Sequence, residues 1–444
     1  MKTWLQENPD VRSIRIACPD LNGQPRGKRL PAKYADKAIA GEMRFPLSVL
    51  NLDIWGEDIK NSPLVLKSGD QDGVLKPTER GFVPIPWLET PQALLPVSMF
   101  HEDGRPYQGD PRHALRAVIE RYIARGLTPV CALELEFFLI DDTGPLPQVP
   151  ASPRSGKRRI AGDILGMRAL DQFDQFLTEL YDACDKMGIP ADAAISESGL
   201  GQFEINLLHE PDALRVADNA WLFKMLVKGL ARRHGFAATF MAKPYGDYSG
   251  SGLHLHFSVL GENGQNIFDN DRSDGSDALR HAVAGCLDCL QSSALIFAPH
   301  ANSFERLVPG SHAPAGICWG YENRTTALRI PSSASSARRI EHRVAGGDVN
   351  PYLLLAAVLG AALNGMEDCT APPEPLVGNA YHAETPQLTN EWATALHLFE
   401  TDPQVARIFS PTLIRNFTMT KHQEMRQMAL LAHAEQIDIY LSSL

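Results

Sequence analysis

The sequence predicts an α+β fold in two unequal parts, and three features predict it. The first hundred or so residues alternate short apolar stretches with turns: "SIRIACPDLNGQPRGKRLP", "FVPIPWL" and "QALLPVSM" read as strands and hairpins, with one short helix at "AKYADKAIAG". At "YQGDPRHALRAVIERYIARG" the texture turns helical, with Asp110 placed to cap a helix whose first position is Pro111. Further on, the strand-like runs "TPVCALELEFFLI", "LGQFEINLL", "SGLHLHFSVL", "TALRIP" and "RRIEHRVAG" are separated by helix-like ones. The helical candidates are "DQFDQFLTELYDACDKMG", "NAWLFKMLVKGLARRHG", "PYLLLAAVLGAALNGME" and the final "KHQEMRQMALLAHAEQIDIYLSSL". A boundary near residue 105 then divides a small domain, 1–105, from a large one, 106–444.

Composition narrows the function classes. The chain has 444 residues, 44% of them hydrophobic and 21% charged, the balance of a globular protein with a sizeable core. A net charge of −11 without any long basic run argues against nucleic acid or an anionic membrane surface as partner. No stretch approaches the ~20 apolar residues of a membrane span, and the opening "MKTWLQENPDVRSIRIACPD" lacks the apolar core of a signal peptide. Seven scattered cysteines suit a reducing cytoplasm. Cys286 and Cys289 form the one C-x-x-C, but with no further Cys or His pair they read as helix packing. "PLPQVPASPRSGKRRIAGD" is the expected mobile insertion, its basic run Lys157–Arg159 with Arg154 a solvated face.

The chemistry lies in the strands of the large domain. Side chains at i and i+2 share one face of a strand. In "VCALELEFFLI" that rule puts Cys131, Leu133, Leu135, Phe137 and Leu139 on one face and Glu134 and Glu136 on the other. Two like charges side by side repel and lose hydration. "QFEINLL" sets Glu204 between apolar neighbours, with Glu197 seven residues earlier. "GLHLHFS" aligns His254, His256 and Ser258, and "RRIEHR" aligns Arg339, Glu341 and Arg343. One such strand is merely a strand with a wet face; four point to a shared polar cavity. Gathered carboxylates with an imidazole suit Mg²⁺ or Mn²⁺ better than zinc. Arginines around them suit phosphate and carboxylate groups, and metals with arginines suit phosphoryl transfer. No G-x-x-x-x-G-K-[ST] loop or kinase signature is present, so any nucleotide site is of another kind.

These residues, in this order, resemble the glutamine synthetase family. The matching segments are "YQGDPRHAL", "ELEFFL", "ESGLGQFEINL", "FMAKPYGDYSGSGLHLHFS", "NSFERLVPG", "ENRTTALRIP" and "RRIEHRVAGGDVNPYLLLAA", spanning residues 107–360. The resemblance implies a small N-terminal β-grasp domain and a catalytic domain with a curved antiparallel sheet flanked by helices. It also implies two or three Mg²⁺ (or Mn²⁺) per active site and ATP as co-substrate. Carried over by position, Glu136, Glu197 and Glu204 hold one metal, and Glu134, His254 and Glu341 the second. His256, Ser258, Arg324, Arg329 and Arg339 contact ATP. Gly250, Arg306 and Arg343 bind glutamate, and Arg324 and Arg343 serve the transferred phosphoryl group. The implied assembly is a homo-oligomer, a dodecamer of two stacked hexamers with active sites between subunits.

The departures from the family concern the amine. Where ammonia-using members read Pro-Gly-Tyr/Phe-Glu-Ala-Pro, this chain reads "PGSHAP", with Ser311 and His312 in place of the aromatic and the acid. The Asp of an N-terminal ammonium-binding motif is replaced by Pro46 in "FPLSVL", leaving Asp53 the nearest acid that could substitute. Two smaller departures are Ser249, where Asn usually precedes the glutamate-binding Gly, and Ser336, where Lys is usual. Losing both carboxylates removes the cage for a small cation and makes room for a substituted amine. His312 then has two readings: a base for the attacking amine, near pKa ~6.5, or a hydrogen-bonding member of its loop. The function expected is ATP-dependent ligation of the glutamate γ-carboxylate to a primary amine, a polyamine or small monoamine, through a γ-glutamyl phosphate. Ammonia-using glutamine synthetase, a non-catalytic regulatory relative and a two-metal hydrolase are the alternatives.

Overall fold

The computed structural model describes every residue except 145–146, 247 and 309–312; Ser311 and His312 therefore lie outside the described residues. Among those described, the N-terminal strands are β1 (Ser13–Pro19), β2 (Pro25–Pro31), β3 (Met43–Pro46), β4 (Asp72–Pro77), β5 (Val83–Pro84) and β6 (Gln92–Phe100). They form one sheet in the order β2-β1-β6-β4-β3, with β5 on β6. The β1–β6 pair is parallel and its neighbours antiparallel, with the helix Ala35–Ile39 packed alongside, as expected of a β-grasp unit. The "FVPIPWL" run keeps only two strand residues. Its prolines Pro84 and Pro86 bring no N–H to a ladder.

Alternation decides where each face of this sheet goes. Ile14, Ile16 and Cys18 of β1 join Leu95, Val97 and Met99 of β6 in a small local core. Ala17 and Leu94, pointing the other way, enter the main core of the large domain. The two parts are also tied by polar contacts. Asp110 caps the helix Pro111–Ile123 through the Arg112 N–H, and its second carboxylate oxygen accepts from the Met99 N–H of β6. Arg112 in turn forks onto Asp218 at 2.9 and 3.1 Å, and Asp218 accepts from the Tyr352 hydroxyl at 2.7 Å.

The second sheet carries β7 (Thr128–Ile140), β8 (Ala191–Ser196), β9 (Gln202–Leu207), β10 (Ala237–Thr239), β11 (Leu253–Leu260), β12 (Trp319–Tyr321), β13 (Leu328–Ile330) and β14 (Ile340–His342). Its order is β12-β13-β14-β11-β7-β9-β8, with β10 on β7, and it curls into a half-barrel. Every pairing is antiparallel except β12–β13 at the edge, a local departure from the expected antiparallel sheet. The helices Ala213–Arg233 and Pro351–Asp368 cover the apolar face, where Leu133, Leu135 and Phe137 meet Trp221, Phe223 and Leu355. The other face is left for the charged residues.

Two expectations change in detail and a third holds. The final helix is two, Pro411–Met428 and His433–Ser443; the second starts afresh because Glu435 accepts from the Ala432 N–H. Cys286 and Cys289 are buried free thiols in and just after the helix Asp277–Asp288, as packing residues should be. Where it is described, the expected insertion is tied down: Arg158 donates to Asp141 at 2.6 Å, and the Ser196 hydroxyl donates to the Asp163 carbonyl at 3.0 Å. No helix among the described residues is long and apolar enough to cross a membrane.

Candidate active site

Strand register assembles the site. Across the polar face, Glu136 of β7 stands opposite Glu204 of β9, which stands opposite Ile195 of β8. One row along, Asn206, Glu134 and His254 line up across β9, β7 and β11. In the next row His256 of β11 faces Glu341 of β14, and Glu341 faces Arg329 of β13. Ser258 lies on the same face one row further, opposite Val130. The first two rows floor a cleft of about 750 Å³ that also takes in Glu197, Gly250, Arg306, Arg324 and Arg343. Five of the six metal-ligand candidates thus lie on one face of the sheet, and Glu197 follows the end of β8.

Hydrogen bonds lock the floor. Glu134 accepts from His254 Nδ1 at 3.0 Å and from His256 Nε2 at 2.9 Å, while Arg339 Nε donates to His256 Nδ1 at 3.2 Å. That leaves the Nε2 of His254 as its free ring nitrogen for a ligand. Glu341 takes Arg329 at 2.9 Å on one oxygen and Arg343 on the other. Arg306, fully buried, donates to the Val344 carbonyl at 2.7 Å. Gly250 and Gly252 make room for it: a Cβ at Gly250 would lie 2.9 Å from the Arg306 side chain, and one at Gly252 2.8 Å from its guanidinium.

The acids split electrostatically. Burial raises Glu204 to about 9 and Glu197 to about 7, and neighbouring carboxylate charges push both the same way. Burial would raise Glu134 too, but its two imidazole hydrogen bonds outweigh that and hold it well below the usual carboxylate range. Glu341 is likewise held low, burial being overcome by Arg343 and then by His256 and His254.

Such a crowd of carboxylates calls for cations. The donor atoms of Glu134, Glu204 and His254 lie within 4.8 Å of one another, as do those of Glu134, His256 and Glu341. An oxygen-rich set with imidazole fits Mg²⁺ or Mn²⁺. Both groupings centre on Glu134, whereas the family resemblance pairs Glu136 with Glu197 and Glu204, and Glu134 with His254 and Glu341. Glu136 and Glu197 line the same cleft outside these two groupings.

If Glu204 and Glu197 take a metal, burial and neighbouring charges mean that binding displaces protons from them near neutrality. Mg²⁺ affinity is therefore expected to rise from pH 6 to pH 9, with about one proton released per site at pH 8. Titration calorimetry in buffers of different ionisation enthalpy measures this. A pH-independent affinity would show that these acids are not ligands.

Several participants were not singled out from sequence. Gln202 donates to Glu136 at 3.0 Å and to the Gly250 carbonyl at 3.0 Å, and accepts from the Gly199 N–H, so it orients both acid and loop. It stood in the quoted "LGQFEI", but a buried Gln carries no periodic signal. Ile164, Leu165, Ile195, Thr325 and Tyr381 line the cleft as well. Ser249 hydrogen-bonds Ser198 at 2.6 Å beside Gly250. Ser336 lies in a short 3₁₀ turn and offers only its carbonyl, to Asn266. Asp53 is buried, and its carboxylate accepts from the Trp55 and Glu57 N–H groups and from Gln423 at 2.7 Å. Within the subunit it organises a turn and is not part of the cleft lining.

Known proteins show the same arrangement of sequence and fold. The sequence pattern described as glutamine synthetase, catalytic domain, matches residues 108–440. The chain is 33% identical to gamma-glutamylputrescine synthetase PuuA of Escherichia coli (strain K12), over all of this chain and 94% of that protein. It is 30% identical to the glutamate–isopropylamine ligase of a Pseudomonas species, over 98% of this chain and 96% of the other. A solved complex of GmaS with ADP superposes with a TM-score of 0.85 at 28% identity, covering 98% of this chain and 97% of that one. A register that gathers carboxylates, imidazoles and arginines on one face of a curled sheet, within a matched span this long, places the chain in the glutamine synthetase family.

Proposed function

We propose that this protein is a glutamate–amine ligase that couples ATP cleavage to γ-glutamyl amide formation. The observation that carries the reading is the row of Glu134, Glu136, Glu204, His254, His256 and Glu341 on one sheet face, rimmed by Arg306, Arg324 and Arg343. In the first step a glutamate γ-carboxylate oxygen bonds to the γ-phosphorus of ATP, and ADP leaves. In the second, the amine nitrogen attacks the acyl carbon, phosphate departs with the C–O electron pair, and the nitrogen gives up a proton. Mg²⁺ or Mn²⁺, two or three per site and held by Glu134, Glu136, Glu197, Glu204, His254 and Glu341, neutralises phosphate charge when bound.

The chain's own groups do the rest. Arg306, pressed against Gly250, holds the amino acid. Arg343 and Arg324 stabilise the transferred phosphoryl oxygens, and Arg343, already braced on Glu341, is pre-positioned for this. His256, Ser258, Arg329 and Arg339 serve the nucleotide. His312 takes the proton of the attacking amine. The "PGSHAP" loop and Pro46 in place of the ammonium-binding acids favour a carbon-bearing amine, in keeping with relatives named for putrescine and isopropylamine.

The same reading places a domain boundary near residue 105 and a homo-oligomer of two stacked hexamers with shared sites. It also places the protein in the cytoplasm, where seven free cysteines remain reduced. The expected role is amine catabolism.

Phosphate release with MgATP, glutamate and a panel of amines tests the function. Turnover with one or more primary amines exceeding that with ammonium is expected. Ammonium outperforming every organic amine would return the protein to the ammonia-using branch.

A further inference from the structure

One wall of the cleft does not match the rest. Ile195 stands opposite Glu204 in the β8–β9 ladder, so its side chain shares the face of the carboxylates. Beside it lie Ile164 and Leu165, which are 58% and 72% exposed although both are large aliphatic residues. Leu165 also sits at φ +56°, a left-handed conformation that a non-glycine residue adopts at a cost. No core packing offsets that cost. What holds the residue there is a pair of staples to the end of β8: the Leu165 N–H donates to the Ser196 carbonyl, and the Ser196 hydroxyl donates to the Asp163 carbonyl at 3.0 Å. The backbone is thus fastened so as to hold two aliphatic side chains at a polar site.

Of the groups the reaction brings together, the phosphates and the glutamate are anionic and meet arginines and metal ligands. Apart from the nucleotide's base, whose assigned contacts His256, Ser258 and Arg339 do not line this cleft, the carbon body of the amine is the apolar one. Resting on the glutamate–amine ligase reading, we infer that Ile164, Leu165 and Ile195 form a hydrocarbon wall that selects an amine with an uncharged aliphatic body. The wall's own acid, Asp163, is paired with Arg159 at 3.6 Å, so it offers little to a second ammonium. A straight-chain monoamine fits this chemistry better than the diamine of equal length. Leu165 and Ile195 are then specificity determinants that touch the substrate's body and not its reacting atoms.

The test uses the full chain with saturating MgATP and glutamate, following phosphate release with ethylamine, propylamine, butylamine, pentylamine and 1,4-diaminobutane. In the wild type, kcat/KM is expected to rise roughly two- to fourfold per methylene, as burial of each CH₂ requires, with butylamine ahead of 1,4-diaminobutane. Leu165→Ala and Ile195→Ala should flatten that slope, mainly through KM for the amine, with KM for glutamate unmoved. Leu165→Asp should shift preference toward the diamine. A flat wild-type series, or a diamine preferred over butylamine, overturns the inference without any variant. So does a Leu165→Ala enzyme that keeps its amine profile but changes its oligomeric mass, for then the wall belongs to a contact between copies. These failures leave the ligase reading standing. The absence of phosphate release with every amine removes that reading itself, and the wall's role with it.

Discussion

Glu134→Ala is expected to abolish measurable Mg²⁺ binding and to lower kcat/KM by roughly a thousandfold or more, the scale seen when a group organising transition-state charge is removed. The reason is geometric. Glu134 belongs to both metal-compatible groupings and accepts hydrogen bonds from both imidazoles of β11. Without it, His254 loses its partner on Nδ1 and His256 loses the one on Nε2, so one metal ligand and one nucleotide contact lose their orientation as well. Glu134→Gln keeps an acceptor near the rings but removes a charge, and should fall between wild type and alanine. Mg²⁺ titration calorimetry and steady-state kinetics on the same preparations decide it. Unchanged Mg²⁺ affinity in the alanine variant would remove Glu134 from the metal site. The fold itself should survive, because the deletion relieves repulsion among Glu134, Glu136, Glu197 and Glu204.

The largest loss of stability is expected at Asp218→Ala. Arg112 and Asp218 have side chains only 4% and 3% exposed, and the guanidinium fork meets both carboxylate oxygens. Burial alone would lower the affinity of Arg112 for its proton, but Asp218 outweighs it and the guanidinium stays firmly charged. Removing the acid strands that charge and leaves the Tyr352 hydroxyl without its acceptor. Breaking one side of a buried pair costs about 3–5 kcal/mol. The outer partner makes a built-in control, since Glu79 also reaches Arg112 at 2.9 Å but is 70% exposed. Glu79→Ala should cost no more than about 1 kcal/mol. Urea unfolding measures both. Equal losses would mean that the buried pair carries no more stability than the exposed one.

That pair also illustrates what is readable from sequence. The cap and first position at Asp110 and Pro111 are visible in five letters, because capping is a local bargain between a side chain and the next few N–H groups. The partner of Arg112 lies 106 residues away and leaves no local trace. The same holds in the site. Period-two alternation alone puts Glu134 with Glu136, and His254 with His256, on one face of their strands. Which imidazole meets which acid depends on the β7–β11 register, set by strand pairing across 120 residues. This is why the two metal groupings differ from those carried over by resemblance.

Local sequence therefore determined the fold class, most of the strands and helices, and the inventory of acids, imidazoles and arginines, since all of these follow from short-range periodicity and turn chemistry. Tertiary structure alone decided how they share contacts. It made Glu134 the common member of both groupings, brought Gln202 under Glu136, and fastened the turn around Asp53 to Gln423 of the distant helix Pro411–Met428. It also placed Ile164 and Leu165, just past the segment that reads as a loose insertion, in the cleft as an aliphatic wall. Each of these depends on contacts between distant parts of the chain. A side chain's role is then set by what the fold brings against it, which no local pattern encodes.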